Sequence, residues 1–371
     1  MSPPHTPRQT WDIFCRVIDN YGDAGVCWRL ARQLAHRHGK SVRLWIDQLS
    51  TLQALCPALR PDWAQQEQDN IAIHLWPEDF PEQAASEVAD VVIEAFACAL
   101  PARYLHAMAA RRPAPCWINL EYLSAETWVA GCHGLASPHP QLALTKHFFF
   151  PGFSADTGGL LRDDTPENFA EHRLPAQTAA EAPQLNVFCY AHAPLPALLA
   201  ALQAQRQTWH IQLSPGQAWQ ALNGLLEGNG PWTHGPQRIE RLPFLTPAAY
   251  DALLRQGSLN IVRGEDSFVR AQLAGRPFIW HIYPQADNAH LDKLHAFLEC
   301  YTADLSPALA HTVGAMFFAW NTPTSHEEFA ACWQNFIDAL PALSEHARHW
   351  QKHCRQLPEL SAALVAFCEG L

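Results

Sequence analysis

Charge is scarce in this 371-residue chain. Only 16% of its residues are Asp, Glu, Lys or Arg and 48% are apolar, which excludes a disordered or solvating chain and points to a compact globular protein. The charge that exists leans acidic: 36 acids against 25 lysines and arginines give a formal net charge of −11, with no basic run anywhere. That balance argues against nucleic acid or an anionic membrane as a partner. No stretch approaches 18 uninterrupted apolar residues, and the first ten residues are polar and Pro-rich without the apolar segment of a secretory leader. The eleven cysteines are odd in number, scattered and without a C-x-x-C pair, so they read as buried thiols of a reducing compartment rather than bridges or zinc ligands. A cytoplasmic protein is expected.

Several catalytic signatures are missing as well. The chain has no G-x-x-x-x-G-K-[ST], H-E-x-x-H, G-x-S-x-G or D-x-D, so P-loop, zincin and serine-elbow chemistry lack their motifs. The twenty histidines are dispersed, and His281, His290 and His295 do not form a convincing ligand set. No bound metal is expected.

What is present is alternation. Short β-branched runs alternate with segments of helical period, the signature of βαβ units on a parallel sheet. In the first half, strands are expected at 13–18, 42–46, 71–75, 91–96 and 116–120, with helices at 26–38 and 103–110. The second half repeats the pattern with strands at 185–190, 209–213, 239–242, 259–262 and 277–282, and helices at 195–205, 247–255 and 268–274. From His290 onward the composition is helical. The length suits two domains of roughly 150 residues each. An α/β protein of two doubly wound Rossmann-like domains follows: 1–155, a Gly-, Asp- and Pro-rich linker at 156–184, 185–350, and a final helix at 351–371 packing back on the first domain. Open α/β sheets bind ligands at the C-terminal ends of their strands, so such a plan suits a cleft enzyme with two substrates. A non-catalytic nucleotide- or carbohydrate-binding protein has the same plan.

Two loops carry candidate chemistry. Asp19-Asn20-Tyr21-Gly22-Asp23-Ala24-Gly25 follows the first strand, where a dinucleotide fingerprint would lie, but G-x-G-x-x-G is absent and two carboxylates would repel a pyrophosphate. Asp23 as a helix N-cap with Asp19 as a turn residue is one reading; paired carboxylates for acid–base work is the other. Arg263-Gly264-Glu265-Asp266-Ser267 follows a second-domain strand and opens a helix. It reads either as a phosphate cradle, with free N–H groups, a helix dipole and a guanidinium, or as a helix capped by Ser267 beside an Arg263–Glu265 surface pair. Phe188, Tyr190, Phe244 and Tyr283 recur at strand ends, as a nucleotide pocket or as core rings.

Over essentially its whole length, in the order D-N-Y-G-D-A-G, F-C-Y, L-P-F-L, R-G-E-D-S and H-I-Y-P-Q, the chain resembles the protein-arginine rhamnosyltransferases that modify bacterial elongation factor P, the EarP family. The resemblance implies a GT-B glycosyltransferase fold and metal-independent, inverting transfer of rhamnose from TDP-β-L-rhamnose to an arginine of elongation factor P, in support of translation. No cofactor beyond that donor is implied. The first domain would then bind the protein acceptor and the second the nucleotide sugar. Asp23 would be the general base and Asp19 its essential neighbour, with Glu265 also needed for activity. Asn20, Tyr21, Gly22, Phe188, Tyr190, Phe244, Arg263, Gly264, Asp266, Ser267 and Tyr283 would line the donor site. A glycosyltransferase with a lipid or small-molecule acceptor is the enzymatic alternative, although no basic amphipathic membrane helix is visible.

Overall fold

The computed structural model describes residues 9–19, 21–82, 86–162, 182–205, 207–222, 226, 228 and 230–371, and the chain divides into one unit of Met1–Arg162 with Leu357–Leu371 and another of Asp163–Gln356. Each unit is built on its own sheet. The first contains β1 (Thr10–Cys15), α1 (Tyr21–His36), β2 (Ser41–Ile46), α2 (Leu49–Leu55), β3 (Gln65–Gln68), β4 (Ile71–Leu75), β5 (Val91–Ala95), α3 (Ala102–Ala110), β6 (Cys116–Leu120), α4 (Trp128–Cys132), β7 (Ala136–Pro138) and β8 (Thr145–Phe149). The strand order is β3-β4-β2-β1-β5-β6-β8-β7, parallel except where β3 and β7 close the edges.

Alternation along β1 divides the first core in two. Ile13 and Cys15 face α1 with Leu30 and Leu34, whereas Phe14 faces an aromatic layer of Trp45, Trp76, Phe80 and Tyr104. Asp12 shares the Phe14 side and is fully buried. Arg43 donates to both of its carboxylate oxygens, at 2.6 and 2.7 Å, and the Tyr104 hydroxyl donates to Oδ2. Burial pushes the Asp12 carboxyl up despite that pairing.

The expected first strand ran to residue 18, but β1 ends at Cys15. Val17 and Ile18 have strand-like side chains. However, the Val17 N–H is held by Asp47 Oδ1 at 3.0 Å, and Ile18 is 64% exposed. α1 in turn begins at Tyr21, five residues before its expected start, inside a segment whose glycines and acids read as a turn.

The second unit contains β9 (Gln184–Val187), α5 (Leu195–Ala204), β10 (His210–Leu213), α6 (Gln217–Leu222), β11 (Trp232–His234), β12 (Gln237–Arg241), α7 (Pro247–Gln256), β13 (Leu259–Arg263), α8 (Asp266–Ala274) and β14 (Phe278–His281). Its order is β11-β12-β10-β9-β13-β14, with β11 as the antiparallel edge. Four helices follow: α9 (Ala289–Thr302), α10 (Pro307–Asn321), α11 (His326–Asp338) and α12 (Leu340–Gln356). α10 and α11 begin at Ser306 and Ser325, each of which accepts the N3 backbone N–H, and Glu328 completes a capping box with Ser325.

The chain then returns to the first unit as α13 (Leu360–Glu369). The sequence placed this return from residue 351, but 351–356 complete α12 in the second unit. Leu360, Leu364 and Cys368 enter the core beside α1, and Glu359 caps the helix through the N–H groups of Ser361 and Ala362. Leu160 and Glu359 form a β-bridge next to it. Gly159 makes that approach possible: its φ is +69°, and a Cβ would stand 1.9 Å from the Pro358 carbonyl oxygen. Of the expected linker, 163–181 lies outside the described residues.

Candidate active site

In the first unit the site grows from the end of β1. Residues 16–19 leave the sheet and α1 opens with Tyr21, so Asp23 occupies the first turn of the helix. Its carboxylate reaches back to the incoming loop. Oδ2 accepts the N–H groups of Ile18 at 2.7 Å and Asp19 at 2.9 Å, and Oδ1 accepts the Tyr122 hydroxyl at 3.1 Å. Carboxylates are favoured in a first turn because the helix dipole and free N–H groups attract negative charge. Asp23 is only 2% exposed. Burial raises its pKa above the ordinary carboxylate value, the three hydrogen bonds oppose the shift, and nearby Asp47 adds to it.

Asp19 is half-buried. Its carbonyl accepts the Gly22 N–H at 2.8 Å, and a Cβ on Gly22 would lie 2.9 Å from Asp19 Oδ2. Glycine there leaves room for the Asp19 carboxylate. Tyr21 is half-buried, and Asn20 lies outside the described residues.

In the second unit the site grows from the end of β13. Arg263, the last residue of that strand, is 4% exposed, and its guanidinium carbon lies 4.6 Å from the ring centroids of both Phe188 and Tyr190. Two ring faces hold the cation. Among the described residues its buried Nη1 has no hydrogen-bond partner, which is costly for a charged donor unless an anion arrives. Gly264 follows at φ +67°, its carbonyl held by the Trp280 indole N–H at 2.9 Å. α8 then begins with Glu265 at the N-cap, whose own side chain does not cap the backbone N–H groups. Such a helix start attracts anions.

The aromatic wall is continuous on one side. Tyr190 packs edge-on to Tyr283 at 5.6 Å, and Phe188 packs edge-on to Tyr250 at 6.0 Å. The Tyr190 N–H is anchored by His281 Nδ1 at 3.2 Å. Because that nitrogen accepts, His281 Nε2 donates to His192 Nε2, 3.0 Å away. Burial foremost, then His192, Arg263 and His290, pushes His281 far below the usual histidine range. Tyr283 and Phe244 stand 38% and 39% exposed.

The family model described as "Elongation-Factor P (EF-P) rhamnosyltransferase EarP" matches residues 11–369. The chain belongs to the EarP family. It is 43% identical over 379 residues to the protein-arginine rhamnosyltransferase of Pseudomonas putida, covering 97% of this chain and 98% of that one. A solved structure described as the structural basis for EarP-mediated arginine glycosylation of translation elongation factor EF-P matches with a TM-score of 0.63 and 30% identity, over 98% of this chain and 99% of that one. Acinetobacter baumannii MurG matches at a TM-score of 0.53 and 15% identity, over 98% and 100%, a likeness of fold alone. The fold is GT-B, with two parallel-rich sheets.

The EarP chain departs from the simpler readings of both loops. Asp23 is not an N-cap but a first-turn residue reaching back. Arg263 is buried, so it makes no surface pair with Glu265. Ser267 does not cap α8; its hydroxyl donates to the Arg263 carbonyl. Asp266 pairs at 3.9 Å with buried Arg270. Phe188, Tyr190, Arg263 and Tyr283 come together, and Asp19, Gly22 and Asp23 share the other loop. Residues touching these that were not singled out from sequence include Tyr122, Tyr250, His192 and Trp280, with Phe96 stacked on Tyr122. Tyr122 lies just past β6, at the strand end where such sheets place ligands, which is the one signal that could have found it.

Proposed function

We propose that this EarP chain transfers L-rhamnose from TDP-β-L-rhamnose to one arginine side chain of elongation factor P with inversion, in the cytoplasm. The second unit holds the donor, and the first supplies the acids and meets the acceptor protein. The observation carrying this reading is the Arg263 guanidinium, held by two rings, with Nη1 lacking a hydrogen-bond partner among the described residues, beside the start of α8. A diphosphate supplies the missing acceptor oxygens. Phe188 and Phe244 would flank the thymine end and Tyr190 and Tyr283 the diphosphate, with Gly264, Glu265, Asp266 and Ser267 around ribose and diphosphate. Tyr21 and Gly22 would contribute to donor recognition from the first unit.

An arginine has a pKa above 12 and a free Asp about 3.9, so full proton transfer before attack would cost about 11 kcal/mol. Deprotonation therefore accompanies attack. Asp23 and Asp19 grip the guanidinium and direct one nitrogen at the anomeric carbon, and Asp23 accepts the proton as the C–O bond to the diphosphate breaks. The raised pKa of Asp23 narrows the mismatch. Arg263 and the start of α8 stabilise the departing TDP. Among the described residues no helix is long and apolar enough to cross a membrane.

The test is intact-mass analysis of elongation factor P after incubation with this protein and TDP-rhamnose. One deoxyhexose increment, requiring both, is expected. No increment would reject the assignment.

A further inference from the structure

We propose that Tyr122 is a positioning residue for the reaction, fixing the Asp23 carboxylate so that one lone pair of Oδ1 faces the incoming arginine. This rests on the reading of Asp23 as the base. A carboxylate offers about four lone-pair sites. Among the described residues, Oδ2 spends both of its sites on the Ile18 and Asp19 N–H groups, and Oδ1 spends one on the Tyr122 hydroxyl. One site on Oδ1 is left for a guanidinium N–H. As the bond from nitrogen to the anomeric carbon forms and the bonding pair of the C–O bond leaves with TDP, the arginine proton passes to that site.

The phenol is itself held in place. Its ring stacks on Phe96 at 4.3 Å with the planes 12° apart. Phe96 follows β5 in a left-handed conformation, φ +57°, with Ala97 and Ala99 alongside at +52° and +55°. Such backbone is sparsely populated for residues with a Cβ and persists only where its surroundings hold it. Here the Phe96 N–H bonds to the Leu120 carbonyl at 2.7 Å, and the Ala99 N–H to Glu94 Oε1 at 3.1 Å. The ends of β5 and β6 are thereby tied together, and the ring pair bridges them to α1. A tyrosine needed only for packing would not require its hydroxyl on the carboxylate of a different element.

Tyr122→Phe keeps the stack and removes the hydroxyl. Turnover is expected to fall about tenfold, the scale of one hydrogen bond to a charged group, with the donor KM within about twofold. The acid limb of the pH profile moves to higher pH, because the lost donor favoured the ionised carboxylate. The other titratable groups acting on Asp23, namely Asp47 after β2 and the Cys15 thiol at the end of β1, are unchanged in that variant, as is Asp19, whose backbone N–H bonds Oδ2. Phe96→Leu keeps the hydroxyl and loosens the ring, and gives a smaller change in the same direction. In an Asp23→Asn background, measured in single turnover with enzyme in excess, Tyr122→Phe adds no further loss. Wild-type turnover with an unmoved acid limb in Tyr122→Phe overturns the proposal, as does an undiminished loss in the Asp23→Asn background. If Tyr122→Phe does not fold, unchanged turnover and acid limb in Phe96→Leu overturn it. Asp23→Asn turning over at the wild-type rate removes the base assignment itself; a slow Asp23→Asn beside a wild-type Tyr122→Phe removes the tyrosine alone.

Discussion

Replacing Arg263 by methionine separates ligand binding from stability. The guanidinium is buried and, among the described residues, Nη1 has no partner, a cost of about 3 kcal/mol for a charged donor. The faces of Phe188 and Tyr190 offset it, each contributing about 1–2 kcal/mol. These terms nearly cancel, so a flexible apolar side chain leaves the urea midpoint almost unchanged. Binding has no such cancellation. Losing one charge-assisted bond to a diphosphate oxygen removes about 1.5–3 kcal/mol, which weakens TDP roughly 10- to 150-fold. Calorimetric titration with TDP measures this directly, and Arg263→Lys, which keeps the charge but loses the planar fork, falls between. Unchanged TDP affinity in Arg263→Met would place the diphosphate elsewhere. A large drop in stability would make Arg263 a structural residue.

Arg43→Met leaves the fully buried Asp12 carboxylate without its bidentate partner and destabilises the first unit by about 3–5 kcal/mol in urea denaturation, with TDP affinity unaltered. Gly159→Ala forces a Cβ onto the Pro358 carbonyl at a positive φ, costs at least about 2 kcal/mol, and exposes the α13 segment to limited proteolysis; an unaltered digestion pattern would show that the approach relaxes. The proposed base Asp23 must be ionised to act and burial holds its carboxyl above the usual carboxylate range, so turnover is expected to fall as pH drops through that raised pKa. An acid limb at the value of an exposed carboxylate, about 3.9, would contradict it.

Most interior parallel strands were legible because burial makes them apolar runs, but β8 was not: Thr145–Phe149 opens with Thr, Lys and His and is mostly half-buried. β4 and β6 occupy the expected 71–75 and 116–120, and β2 begins one residue early. The antiparallel edge strands β3 and β7 were not, since Gln65–Gln68 and Ala136–Pro138 carry no apolar alternation to read. α1 was placed late because Gly22, Asp23 and Gly25 are turn formers by local preference. The bonds from the Asp23 carboxylate back to Ile18 and Asp19 override that preference. The acidic and R-G-E-D-S loops could be recognised as motifs. Their supports could not: Tyr122 reaches Asp23 across 99 residues of sequence, and His281 reaches Tyr190 across 91. Pairings of that range leave no local pattern.

In the proposed transfer, acid chemistry in the first unit and donor binding in the second are separate tasks. Asp23→Asn, assayed for both TDP affinity by calorimetry and rhamnosylation of elongation factor P by intact mass, tests this separation most directly. Unchanged affinity with a rate at least about 100-fold lower is expected. A wild-type rate, or an equal loss of affinity and rate, would contradict it.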